Sequence, residues 1–141
     1  MPNFFLFAIF AAAFFACDPV ESEPKIVLGH EWNATAQVVA DTTSVFKPND
    51  IIVIQMDNGN KPFKAVEVEL RVYQGETNRI LFKRSTHVKN TEAKVTIKGP
   101  DSEPLTARKL LRTATPGPYR IAFAIGDSIL LEKNLELVSP N

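Results

Sequence analysis

The amino-acid sequence predicts an all-β domain, an antiparallel two-sheet sandwich of about seven short strands. Two observations carry that expectation. Apolar and polar residues alternate with a period of two through much of the chain beyond residue 50, the pattern of a sheet with one dry and one wet face. Clusters of Gly, Pro, Asn and Asp interrupt the alternation at short intervals, where tight turns need them.

The alternation is clearest over residues 65–73. There Val66, Val68, Leu70 and Val72 share one face, and Glu67, Glu69, Arg71 and Tyr73 share the other. Residues 92–98 repeat it, with Ala93, Val95 and Ile97 opposed to Lys94, Thr96 and Lys98. In a third strand Tyr119, Ile121, Phe123 and Ile125 lie opposite Arg120, Ala122 and Ala124. Residues 51–54 are continuously apolar, which suits a central strand. Strands are also expected over 35–40, 79–88 and 129–138, with Trp32 a partly buried plug near the first strand. Gly126-Asp127 between two apolar runs reads as a tight hairpin, because Gly supplies the positive φ such turns need. One short helix is expected, capped by Ser102 and running through Leu105 to Leu111 with Pro104 in its first turn. An edge strand or a loop is the alternative for the 99–115 segment.

The run Pro116-Gly117-Pro118-Tyr119-Arg120-Ile121 resembles the entry to the sixth strand of immunoglobulin-like domains. In that family a Gly-x-Tyr returns the tyrosine hydroxyl to the preceding corner, and Gly117 and Tyr119 match. Ile121 stands where antibody domains place a cysteine, so the resemblance implies a disulfide-free immunoglobulin-like β-sandwich. The closing Tyr strand, tight turn and Leu135-Glu136-Leu137-Val138 resemble the last hairpin of bacterial envelope domains of this type.

The front of the chain has a different character. Residues 4–16 are only Phe, Leu, Ala and Ile, and they end at Cys17, the sole cysteine. Such a run is too short to cross a ~30 Å hydrocarbon core, which needs about 20 residues, but it fits the apolar core of a secretory signal. Acids and prolines follow at once: Asp18, Pro19, Glu21, Glu23 and Pro24. The stretch resembles the signal of bacterial lipoproteins, in which a small residue, here Ala16, precedes a cysteine that becomes the lipidated first residue. Phe14 and Phe15 depart from that pattern, as does the missing positive charge before the apolar run. The resemblance implies a covalent lipid on Cys17, no other cofactor, and a membrane partner through that anchor. It also implies a place in the cell envelope. Asp18 suits inner-membrane retention by analogy with enteric bacteria. An acidic segment after the cysteine suits the outer membrane, facing the periplasm or the surface, by analogy with other phyla. The organisation expected is a signal peptide over 1–16, a lipidated cysteine and short tether over 17–25, and the sandwich domain over 26–141.

Composition limits function. The chain has 16 basic and 16 acidic residues and zero formal net charge, so nothing in its overall charge favours nucleic acid. A single cysteine permits no internal disulfide, and stability has to come from a hydrophobic core. No nucleophile–base motif is present. His30 and His87 read as exposed surface residues, and Asp57-Asn58-Gly59-Asn60 reads as a hairpin turn because the ligand string of a calcium loop is missing. A rival enzyme or small-ligand carrier would need carboxylates such as Glu67 and Glu69 to converge with strand neighbours. Lys83, Arg84, Lys89, Lys94 and Lys98 could form a basic face, although lysines also guard exposed sheet edges.

The function expected is therefore a non-enzymatic, membrane-anchored module whose partner is a protein or a surface polymer, with an accessory subunit of a secretion or motility machine as the alternative. Sandwiches bind through end loops or through a free edge. The candidate contacts are Asn58, Lys61 and Phe63 in the 57–63 loop, and Arg108 and Arg112 in the 99–115 segment.

Overall fold

The computed structural model describes residues 22–140, so Ala16, Cys17 and Asp18 lie outside the described residues. Nine strands and one helix follow in order: β1 (Lys25–Asn33), β2 (Val38–Thr42), β3 (Val45–Phe46), β4 (Val53–Asp57), β5 (Glu67–Gln74), β6 (Ile80–His87), β7 (Lys94–Ile97), α1 (Ala107–Leu111), β8 (Gly117–Ile125) and β9 (Ser128–Leu137). They form two sheets, β2-β1-β4-β7 and β3-β9-β8-β5-β6. Every pairing is antiparallel except β3 on β9, which is parallel.

That one parallel pair shows how the sandwich closes. β2 belongs to the first sheet and β3 to the second, so the chain changes sheets at Thr43-Ser44. Thr43 still donates its amide to the carbonyl of Leu28 at 3.0 Å, whereas Ser44 already accepts from Glu136 at 2.8 Å. Phe46, fully buried, is carried by this crossing into the space between the sheets.

The core is the meeting of two alternating faces. Val68, Leu70 and Val72 of β5 and Tyr119, Ile121 and Phe123 of β8 line the inside of one sheet. Ile26 and Leu28 of β1, Ile54 and Met56 of β4, and Val95 and Ile97 of β7 line the other. Cross-strand register keeps like with like, setting Leu70 beside Phe123 and Val72 beside Ile121. β4 lies between β1 and β7 and is buried along its whole length, as its apolar start predicts. Its outward Gln55 is satisfied by the carbonyl of Gln37 and the hydroxyl of Thr96, at 3.2 and 3.3 Å.

Several expectations are corrected. β1 is a full strand of nine residues where the sequence suggested only a plug at Trp32. The strand expected over 35–40 starts at Val38, because Asn33 Oδ1 accepts from the amides of Thr35 and Ala36 and turns the chain there. The run at 51–54 contributes its second half to β4, which extends to Asp57, while Ile51 makes only an isolated bridge to Thr106. Val66 precedes β5 and is exposed, and Tyr73, expected to be wet, is 6% exposed. The guanidinium of Arg120 lies 4.5 Å over the Tyr73 ring and keeps water from it. Ala122 and Ala124 are also fully buried on that outer face, where they are too short to rise above Arg71 and Glu69, their partners on β5. The helix caps at Thr106, not Ser102: the Thr106 hydroxyl accepts from the amide of Lys109 at 3.3 Å. Asp57-Asn58-Gly59-Asn60 is not a hairpin. It leads from β4 in one sheet to β5 in the other, turning through positive φ at Gly59 and Asn60. Gly126-Asp127 does join β8 to its antiparallel neighbour β9, with Gly126 at φ +57.

Candidate functional site

The two ends of the sandwich differ. At the entry end, Gly59 packs so closely on Ser22 and Pro24 that a Cβ there would overlap the Ser22 carbonyl. The chain therefore reaches β1 beside the 57–66 loop. β1 then runs about 25 Å to Asn33 at the far end, where β1, the start of β4 and the 98–112 segment converge.

A concavity of about 560 Å³ opens at the far end, between Trp32 and Ile51 on one side and Lys98, Asp101, Pro104 and Leu105 on the other. Its geometry follows from local chemistry. Ile51 is drawn toward the segment by its bridge to Thr106, and Ile52 donates its amide to the carbonyl of Leu105 at 3.0 Å. Gly99 is pressed against the backbone of 103–105, with no room for a side chain. His30 buttresses the floor. Its Nδ1 donates to the Ile51 carbonyl at 3.0 Å, and its ring meets Phe46 edge-on at 5.1 Å between centroids. This histidine is half-buried with both faces of its role structural, not the exposed residue expected. His87 is the exposed one, 3.7 Å from Glu67.

A second hollow, of about 340 Å³, lies across Leu105 from the first, between α1 and β6. Phe82, Leu105 and Leu110 supply its apolar lining, and Arg84, Lys109 and Arg112 its charged lining. Arg112 ends α1 in the left-handed conformation and sets its guanidinium 4.7 Å over the Phe82 ring. Lys109 pairs with Glu103 at 2.9 Å, which holds the Glu103 carboxyl below its usual range.

The structure does not bring the five candidate contacts together. Asn58 and Lys61 lie at the entry end, where Asn58 Nδ2 donates to the Lys61 carbonyl at 2.9 Å. Phe63, in the same loop, is a core side chain and is withdrawn as a surface contact. Arg108 is exposed on α1 at the far end, and Arg112 lines the second hollow. Trp32 is half-buried, as expected of it, but it belongs to β1 and lines the larger concavity. The sole tryptophan standing between the polar residues Glu31 and Asn33 is the signal that could have marked it. The basic residues do not share one pair of adjacent strands either. Lys83 and Arg84 lie on β6, the edge of one sheet, whereas Lys94 on β7 lies at the edge of the other. Lys94 approaches Asp57 at 3.9 Å and Lys98 approaches Asp101 at 4.0 Å.

For catalysis the arrangement offers little. Glu69 is taken by Arg71 at 2.6 Å, and Glu67 stands on the exposed rim beside His87. Among the described residues no group of three His, Cys, Asp or Glu is placed to hold a metal ion. No helix among them is long and apolar enough to cross a membrane.

The chain matches no protein-family model and no curated protein sequence. Among solved structures it is similar to an immunoglobulin-like protein from Pseudomonas aeruginosa, at 14% identity and a TM-score of 0.50, over 84% of this chain and 99% of that one. It also aligns with the soluble domain of PmoD from a Methylocystis species, at 9% identity and a TM-score of 0.42, over 82% and 90% of the two chains. With its sheet pairing, its parallel β3 on β9 and the likeness to the Pseudomonas protein, the described domain has the immunoglobulin-like fold.

Proposed function

We propose that this chain is a lipid-anchored, non-enzymatic protein of the cell envelope whose immunoglobulin-like domain binds a protein or surface polymer through its far end. The observation that carries this reading is an arrangement of ends. The apolar run 4–16 and Cys17 precede a domain entered beside Gly59, and the concavity containing Trp32 opens at the opposite end. A single acyl chain holds a protein to a bilayer marginally and two hold it stably, so a lipidated Cys17 would moor the entry end and leave the Trp32 end facing away.

Two measurements test the proposal on the full chain expressed in a bacterium that processes lipoproteins. Mass spectrometry of the mature N-terminus should find an acylated Cys17, and Cys17→Ala should move the protein from the detergent phase to the aqueous phase. A photo-crosslinking residue at Trp32 should capture a partner in intact envelopes, while one at exposed Val66 should not. An unmodified sulfur on Cys17 sinks the anchor, and equal capture from both positions sinks the binding end.

A further inference from the structure

β6 is paired with β5 on one side, and among the described residues no strand pairs with its other side. Lys83, Arg84 and Ser85 are all exposed in a row, which is how a strand open on both faces and along its edge looks. A bare edge is usually guarded by charge alone. Here the charge comes with more. Arg84 stands in register with the core residue Leu70, so it projects on the inner side of the sheet, toward the hollow under α1. That hollow has an apolar floor of Phe82, Leu105 and Leu110. Neither Arg84 nor Arg112 has a carboxylate within 4.0 Å among the described residues; Lys109 alone of the three cations is paired. Repelling strands requires no floor, and a floor without an occupant leaves Phe82 and Leu105 partly exposed.

We infer that the free edge of β6 accepts an extended acidic peptide of a partner protein as an added strand. Alternate side chains of such a strand point to one face. On the inner face an apolar anchor would fill the hollow between β6 and α1, and acidic residues two positions to either side of it, on the same face, would meet Arg84 and Arg112. Main-chain hydrogen bonds to the edge would supply affinity, and the hollow with its two guanidiniums would supply selectivity. This inference rests on the domain being a binding module, but on neither the lipid anchor nor the Trp32 concavity.

The test uses the full chain in detergent micelles and a fluorescein-labelled peptide, Thr-Thr-Glu-Thr-Leu-Thr-Glu-Thr-Thr, whose Leu and two Glu share one face of a strand, followed by anisotropy. Saturable binding is expected, weakened roughly ten-fold by Arg84→Glu and ten-fold again by Arg112→Glu, the order expected when a close charge pair is reversed. Replacing every Glu of the peptide by Lys, or N-methylating alternate peptide amides, should abolish binding to the unaltered chain. Those two peptide changes decide the matter even where the arginine variants fold poorly. No binding, or binding indifferent to peptide charge and N-methylation, overturns the acidic strand. Should it fail while Trp32 crosslinks persist in intact envelopes, only the acidic strand is lost; the absence of both removes the binding module itself.

Discussion

The phenol of Tyr119 donates a 2.6 Å hydrogen bond to the carbonyl of Thr115, four residues back along the chain. It ties the start of β8 to the corner that follows α1, and the ring itself is buried in the core. Tyr119→Phe keeps the ring and removes only the bond. Such a loss costs about 1–2 kcal/mol when the stranded carbonyl is part-buried. For a domain of this size that is a drop in melting temperature of about 3–6 °C, readable by thermal denaturation, with the circular dichroism spectrum unchanged.

This contact is legible in the sequence through a resemblance, because Gly117 and Tyr119 match the Gly-x-Tyr of immunoglobulin-like domains. The alternating strands are legible from the residues themselves: Val68, Leu70 and Val72 carry their own periodicity. What escaped was set by tertiary context. β1 escaped because His30 interrupts its inner row of Ile26, Leu28 and Trp32, and only the fold shows that His30 is satisfied by Ile51 and Phe46. The burial of Tyr73 and of the β8 alanines on the outer face is not legible, because their cover comes from Arg120 and Arg71, whose reach across a sheet leaves no mark in the period. The candidate site was legible only in part. Arg112 was within a segment singled out for its length, but its partner Phe82 lies 30 residues away in sequence, on another element.

Arg71 binds the outer face together. Its Nε donates to Glu69 at 2.6 Å and its guanidinium also donates to the Gly126 carbonyl at 2.9 Å, so one side chain joins β5 to the β8–β9 hairpin. Its pKa is raised, first by the hydrogen bond with Glu69 and next by that with Tyr73. Arg71→Met keeps the stem over Ala122 but leaves Glu69 without its partner. A loss of about 1–3 kcal/mol is expected from urea unfolding. The double variant Arg71→Met with Glu69→Gln should recover part of it, because the unpaired charge is then gone.

The loop before α1 should loosen in acid. Glu103 is held below the usual carboxylate range chiefly by its hydrogen bond to Lys109, with their charge attraction second. A depressed carboxyl stabilises the state that contains the pair above its ordinary pKa of about 4.3, and that contribution disappears as pH falls through the lowered value. Amide hydrogen exchange of Lys109 and Leu110, corrected for intrinsic rates, should therefore be slow at neutral pH and faster relative to the core near pH 3. In Glu103→Gln the excess change should vanish. An unaltered pH profile in that variant would assign the loosening to another group.

The two hollows at the far end share one wall, and Gly99 sets its position. A Cβ on Gly99 would stand against the backbone of Glu103, Pro104 and Leu105, and backbone cannot swing aside as a flexible side chain can. The 103–105 stretch has to move outward to admit it. Ile52 then loses its hydrogen bond from the amide to Leu105, and Ile51 its bridge to Thr106. Overpacking of this kind costs about 1–3 kcal/mol. Because Leu105 lines both hollows, Gly99→Ala should perturb Trp32 fluorescence and weaken acidic-peptide binding in the same variant. Gly126→Ala provides the contrast. It meets open space and strains only a φ of +57, so it should lower stability without touching either readout. Equal effects of the two substitutions on Trp32 fluorescence would mean that the wall is not what Gly99 holds.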